Sequence, residues 1–345
     1  MNEGFKKFLS ASERDRVDTF LATSRRIGAN VQYVEKDFWV CWTLDALYHG
    51  LPADGPRLLF KGGTSLSKAY ALIERFSEDI DITVFREDLN QAASVEDLEA
   101  LSGKQRKAKL DAIRDACQGW VAGALSQGVA ERLGEVVSGK GKVEIDDTDP
   151  DKQSLLVFYP SLTGEDFGYV RPVVRIECGA KSALDPHRDT TIRPYVAEET
   201  ADLDMSVASV TTIEPIRTFW DKAVIVHGLR RWYERRGELR QEGQRISRHY
   251  YDLHCLRSSP VAELALADRN LAGDCVRHAR LFFNRPDFDL ASARTGSWVI
   301  EPSDQMLDRL RLDYEKTTPM IFGVPPTFKE IMASMKALNV AVNRI

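Results

Sequence analysis

The sequence has no continuous apolar run of about 18 residues, the length a membrane-crossing helix needs. It also has no basic, then apolar, N-terminal stretch of the kind that directs secretion. Secretion and membrane contact are therefore not expected, and the cytoplasm is the expected compartment. Cysteine is sparse: five residues, at 41, 117, 178, 255 and 275, with no C-x-x-C pair among them. This argues against a disulfide frame or a thiolate zinc site and suits packed thiols in a reducing compartment. His249 and His254 lack the H-E-x-x-H spacing of a helical zinc site. Basic charge falls short of acidic, 47 Lys and Arg against 52 Asp and Glu, for a net charge of −5. Any contact with a polynucleotide must come from a local patch. There is no internal repeat or low-complexity tract. The remaining composition is ordinary: 345 residues, 43% hydrophobic and 29% charged, enough for one large or two medium domains.

One stretch organises the rest. Leu58-Leu59-Phe60 reads as a strand, Lys61-Gly62-Gly63-Thr64-Ser65 as a tight turn, and residues 66–76 as a helix. Residues 79–84 then alternate, with Ile80, Ile82 and Val84 on one face and Asp79, Asp81 and Thr83 on the other. Carboxylates sharing a strand face repel, and a divalent cation removes the conflict. Mg²⁺ prefers carboxylates together with substrate phosphates. Backbone N–H groups and hydroxyls of the Gly-Gly-Thr-Ser turn suit a triphosphate. Asp79 and Asp81 are thus candidate ligands for one Mg²⁺ or two. Lys61, Gly62, Gly63, Thr64 and Ser65 are candidate contacts for an NTP substrate. The spacing around Lys68 is not that of a Walker loop, which argues against a kinase.

A Gly-Gly/Ser turn followed by Asp-x-Asp on the next strand resembles the nucleotidyltransferase superfamily with its polymerase-β-like fold. The fuller string, from Lys61 to Lys68 and then Arg75-Phe76-Ser77-Glu78-Asp79-Ile80-Asp81, is similar to the AbiEii/AbiGii toxin branch. Further strings resemble that branch in the expected order: Glu35-Lys36-Asp37-Phe38-Trp39, Arg217-Thr218-Phe219-Trp220-Asp221-Lys222, and Ser247 to Leu253. Asp313-Tyr314-Glu315 and Met320 to Gly323 follow. The resemblance implies an α+β protein, with a nucleotidyltransferase domain built on a mixed sheet over residues 1–205 and a mainly helical lobe over 206–345. It implies a toxin of a bacterial toxin–antitoxin or phage-defence pair that transfers a nucleotide from an NTP, with the 3′ end of tRNA as the acceptor in some relatives. It further implies a cognate antitoxin encoded nearby, which need not contact the toxin stably. Lys222 carries over as a catalytic and nucleotide-binding residue. Asp252 follows as a partner that orients Lys222 or meets the nucleotide. The third carboxylate is fixed by no motif. The alternatives are transfer to a protein or small molecule, and a silent nucleotide-binding partner module.

The rest of the chain adds expectations of its own. In Val173-Val174-Arg175-Ile176-Glu177 the alternation puts Glu177 on an open face, either as a third catalytic acid or as a surface partner of Arg175. Residues 228–248 read as one charged helix in which Arg230, Arg231, Arg235, Arg236, Arg240, Arg245 and Arg248 outnumber Glu234, Glu238 and Glu242. That helix is either a self-paired solvated face or an RNA phosphate track, with Trp232 and Tyr233 available to stack. Lys104 to Lys109 form a smaller basic cluster with the same pair of readings. The Asp-rich segment 146–151 reads as a solvated hairpin turn. Phe38 and Trp42 mark a core helix, from which an approach of Lys36 and Asp37 to the site is the less favoured reading. Ser77 adjoins the acids, so a phosphate on it would repel both carboxylates and substrate.

Overall fold

The alternation at 79–84 is realised as β2 (Asp79–Val84), with Ile80, Ile82 and Val84 buried and Asp79 and Asp81 partly exposed. The computed structural model describes residues 2–164, 171–240 and 244–344. With β1 (Leu58–Lys61), β3 (Lys142–Ile145), β4 (Ser154–Phe158), β5 (Val173–Gly179), β6 (His187–Ile192) and β7 (Val207–Ile213), β2 forms a seven-stranded sheet in the order β3-β4-β5-β2-β1-β7-β6. The β1–β7 and β2–β5 pairs are parallel and the others antiparallel, so the sheet is mixed and the fold α+β, as expected. The acids sit on the central strand, where neighbours on both sides fix their direction.

The chain falls into two compact units. The first comprises Met1–Ala69, Phe76–Ala93 and Ser102–Ile213; the second Tyr70–Arg75, Ser94–Leu101 and Glu214–Ile345. β7 carries the sheet past the boundary expected near 205. β6 and β7 were not foreseen. β6 is an exposed edge strand, His-Arg-Asp-Thr-Thr-Ile, with almost no apolar alternation to mark it.

In the first unit the helix Val31–Asp45 packs on β2, β5 and β7. Asn30 caps it, and Phe38, Trp42 and Leu44 are fully buried. Truncating an aromatic at such a site costs about 3–5 kcal/mol. A capping box at Ser102 starts the helix Gly103–Trp120, and another at Ser94 starts Val95–Ala100, which belongs to the second unit. The segment expected as a helix over 66–76 is instead the helix Gly62–Lys68. Ala71 takes a left-handed φ of 51°. Residues 70–75 belong to the second unit, where Arg75 bridges Ile321.

In the second unit Pro215 begins the helix Pro215–Arg236, which packs against Ser247–Arg257, Pro260–Ala267 and Arg269–Phe282. Trp220 is fully buried and its indole N–H donates to the Ala265 carbonyl at 3.0 Å. The single helix expected over 228–248 is not formed. Gly237, at φ 70°, closes it with its N–H on the Tyr233 carbonyl, and Arg248 lies on the next helix. Glu242 lies outside the described residues.

Candidate active site

The sheet register assembles the acids. Asp81 on β2 is aligned with Glu177 on β5 and with Lys61 on β1, and Asp79 with Arg175. Registered neighbours share a sheet face. Asp79, Asp81, Glu177, Lys61 and Arg175 therefore stand on one face of the first unit. Lys61 Nζ lies 3.8 Å from Asp81 Oδ1. Arg175 pairs with Glu177 at 2.6 Å and with Asp146 of the acidic hairpin turn at 2.9 Å. Glu177 is thus an Arg175 partner that also stands in register beside Asp81. Asp146 also accepts from the Thr148 amide at 2.9 Å, and Asp149 from the Gln153 amide at 2.9 Å, so this Asp-rich segment is a hydrogen-bonded turn.

Crowding of like charge leaves a mark on Asp79. Burial first, then the charges of Glu177, Glu78 and Asp81, push its carboxyl up to about 7, against the pull of Lys36. A divalent cation relieves that conflict. Hard carboxylate oxygens on one face are the donor set Mg²⁺ takes, one or two at a time, with water and phosphate oxygens completing its shell. Among the described residues no three His, Cys, Asp or Glu side chains form a group able to hold an ion by themselves. The chemistry of Asp79 and Asp81 fits an ion shared with substrate phosphates.

The turn reaches the acids at close quarters. Gly62 has φ 79°, and a Cβ there would lie 2.0 Å from Asp81 Oδ2. Its residue type is thus required twice, by conformation and by space. The hydroxyls that follow it are engaged within the unit. Thr64, buried, donates to the Asp79 carbonyl and lies 2.8 Å from Ser77 Oγ. Ser65, fully buried, donates to the Gly62 carbonyl at 2.9 Å. Thr64 thereby ties the turn to β2, and Ser65 closes the turn on itself. What the turn offers a phosphate is the row of backbone N–H groups in the first turn of Gly62–Lys68, which have no acceptor within a helix.

Lys222 and Asp252 lie in the second unit. Asp252 is fully buried, held by Arg75 through two hydrogen bonds of 2.7 and 2.9 Å and by Lys222 Nζ at 2.6 Å. Burial alone would raise its carboxyl, but the charges of Arg75 and Lys222 win and hold it well below the usual range. Lys222 is lowered, by burial first and then by Arg75 and Arg248, with Asp252 opposing. Asp252 is engaged on both oxygens, which suits orienting Lys222 better than accepting a proton. Arg75 was missed because it closes a segment that reads as the end of a helix. Removing one partner of such a buried set leaves charges unpaired. Asp252→Ala should lower unfolding stability by about 3–5 kcal/mol, read from urea melts, with Asp252→Asn losing less.

The arginines proposed as an RNA track are largely spent within the chain. Arg230 bonds Glu234 at 2.8 Å and the Glu301 carbonyl at 3.0 Å, and Arg231 bonds Glu234 at 2.9 Å. Arg235 donates to the Pro286 carbonyl at 2.8 Å. Tyr233 is buried with its hydroxyl on the Gln305 carbonyl, so it is not a free stacking surface. Arg248 is exposed on a separate helix. This is the self-paired reading of the charged segment.

No described helix is long and apolar enough to cross a membrane. Among curated proteins no sequence matches this one significantly. The structure is similar to MenT4, a nucleotidyltransferase toxin from Mycobacterium tuberculosis H37Rv, with a TM-score of 0.53 over 94% of this chain and 90% of that one, at 14% identity. At that identity the likeness is one of fold. A family model, the nucleotidyl transferase AbiEii toxin of type IV toxin–antitoxin systems, matches residues 45–334. That span takes in the glycine turn, the acid strand, Glu177, Lys222 and Asp252, and the chain therefore belongs to the AbiEii nucleotidyltransferase toxin family.

Proposed function

We propose that the protein transfers a nucleotidyl group from an NTP, with Mg²⁺, to a hydroxyl of an RNA, the 3′ end of tRNA being the acceptor that the family resemblance implies. The observation that carries the reading is the registered row of Asp79, Asp81 and Glu177 beside the Gly62 turn. In this reading the acceptor oxygen bonds to the α-phosphorus as the bond to the β-phosphate oxygen breaks, and pyrophosphate leaves. Asp79 and Asp81 would hold the metal ion, which when bound offsets phosphate charge. Backbone N–H groups of Gly62, Gly63, Thr64 and Ser65 bind the outer phosphates, with Lys61 beside them. Glu177 takes the proton of the acceptor hydroxyl. Lys222, oriented by Asp252, supplies positive charge to phosphate; its cluster, with Arg75 and Arg248, is net cationic. Of the four arginines considered for RNA, Arg248 is the one left as an outer contact, since Arg230, Arg231 and Arg235 are paired within the chain.

The test is incubation of the purified protein with Mg²⁺, each α-labelled NTP in turn, and total bacterial RNA, with Asp81→Asn as the control. Label in a tRNA-sized band, absent from the control, supports the reading. Label that goes to protein, or to small molecules, and ignores added salt sinks the RNA acceptor. The intrachain pairing of Arg230, Arg231 and Arg235 is what favours that second outcome. Equal labelling by the control would favour the silent-module alternative.

The type IV pairing implies a cognate antitoxin, and the cytoplasm is the proposed compartment. Ser77 is proposed as a control point, since a phosphate there would stand beside Thr64 Oγ1 and next to the acids. Ser77→Glu is expected to depress transfer strongly while Ser77→Ala keeps it; equal activity of the two variants would discard the idea.

A further inference from the structure

We propose that Lys36 and Asp37 are positioning residues that set the nucleotide turn and the Asp79 strand in place, acting through Lys68 and Glu78; this rests on the nucleotidyltransferase reading above. Helix Val31–Asp45 is a core helix, yet its residues Glu35, Lys36 and Asp37 are only 2%, 3% and 4% exposed. Buried charges cost several kcal/mol each unless well paired. Each of these finds its partner on a different segment of the same unit. Glu35 accepts from the Leu162 amide at 2.7 Å and the Ser161 hydroxyl at 2.8 Å. Lys36 Nζ meets Glu78 at 2.7 Å. Asp37 meets Lys68 Nζ at 2.7 Å and accepts from the Tyr195 amide at 2.7 Å. The Lys68 ammonium also lies 3.7 Å from the centre of the Tyr195 ring.

These partners are not scattered. Lys68 ends the helix that Gly62 begins, and Glu78 immediately precedes Asp79. A helix of 7 residues whose N-cap, Lys61, makes no side-chain cap bond has little stability of its own. Its direction must be set by what holds its far end, and Asp37 holds that end. One residue earlier on the same rigid helix, Lys36 holds the entry to the acid strand. Neighbouring residues of an α-helix are fixed relative to one another by 1.5 Å of rise and about 100° of turn. Phosphate turn and carboxylates are thereby referenced to a common ruler. An apolar helix could bury this space with less desolvation, but it would not fix one register of two short segments. A misplacement of about 1 Å at a reacting centre costs on the order of 10²-fold in rate.

The experiment uses the full chain with Mg²⁺, a mixture of the four α-labelled NTPs and total bacterial RNA, alongside amide exchange read by mass spectrometry and thermal melting. Lys36→Met is expected to lower kcat by about 10–100-fold with little change in KM for the NTPs. Exchange should quicken at residues 76–80 but not across the sheet. Lys36→Arg should recover most of the rate. The double variant with Glu78→Gln should be no slower than Lys36→Met alone, because the two act as one device. Asp37→Asn should raise KM and loosen residues 62–68. Full turnover in Lys36→Met would overturn the proposal. So would a loss that Lys36→Arg does not rescue, or one accompanied by faster exchange everywhere. If Lys36→Met does not fold, Lys36→Arg and Glu78→Gln decide on the same readouts. Asp81→Asn separates the two levels. If that variant is inactive while Lys36→Met is normal, only the positioning role falls. If it stays active, the catalytic reading falls with it.

Discussion

Gly62→Ala is expected to abolish nucleotide transfer, by about 10³-fold or about 4 kcal/mol of barrier, while the protein still folds. Two separate effects act on this position. The backbone sits at φ 79°, where an L side chain costs about 1–2 kcal/mol. The added Cβ would also lie 2.0 Å from Asp81 Oδ2 and 2.7 Å from its Cγ, so the carboxylate has to move or the turn has to withdraw. Either response separates the phosphate turn from the acids. Gly28 supplies the control, because its φ is 66° but nothing lies within 4 Å of a Cβ there. Gly28→Ala should show the conformational penalty in its melting curve and keep the rate. Equal rates for the two variants would mean that the approach of residue 62 to Asp81 has no part in catalysis.

Asp79→Asn is expected to remove transfer to a similar extent and to stabilise the metal-free protein. Burial and the neighbouring acids push Asp79 up to about 7, against about 3.9 for an unfolded aspartate. Between those values the folded chain keeps a proton that the unfolded chain has released. Stability therefore falls as pH rises across that interval, and the loss persists above it. The gap between those two values sets an upper limit of about 4 kcal/mol, which partial exposure of the side chain reduces. Asparagine carries no charge to penalise. In EDTA at pH 8 the variant should melt above the parent, by roughly 2–4 °C per kcal/mol gained. Near pH 4 the two should coincide. A variant that melts lower than the parent at pH 8 would show that Asp79 is not under like-charge strain.

Much of this site is legible in the chain itself, because a strand with one acidic face announces itself by period. Ile80, Ile82 and Val84 against Asp79 and Asp81 fix both the strand and the direction of its carboxylates. The same alternation at 173–177 brings Glu177 to the correct face, and register does the rest. The readings that fail do so where local pattern carries no long-range information. Lys36 and Asp37 stand beside Phe38 without a legible partner, since no periodicity says that Glu78 and Lys68 await them. Arg75 looks like the tail of a helix because its partner Asp252 is far along the chain. β6 is too polar to read as a strand, and Gly237 ends a helix that charge spacing alone would continue to Arg248. Residue type also does not say that the Thr64 and Ser65 hydroxyls donate to carbonyls of their own unit.

The assignment of residues 70–75 to the second unit, between two segments of the first, bears on how the protein can be dissected. A truncation after Ile213 yields an N-terminal piece that keeps Arg75 but has lost Asp252. The complementary piece from Glu214 keeps Asp252 and Lys222 without the guanidinium that shares the carboxylate. A cut after Ile213 therefore parts Arg75 from Asp252 and leaves each piece with a charge that the whole chain pairs.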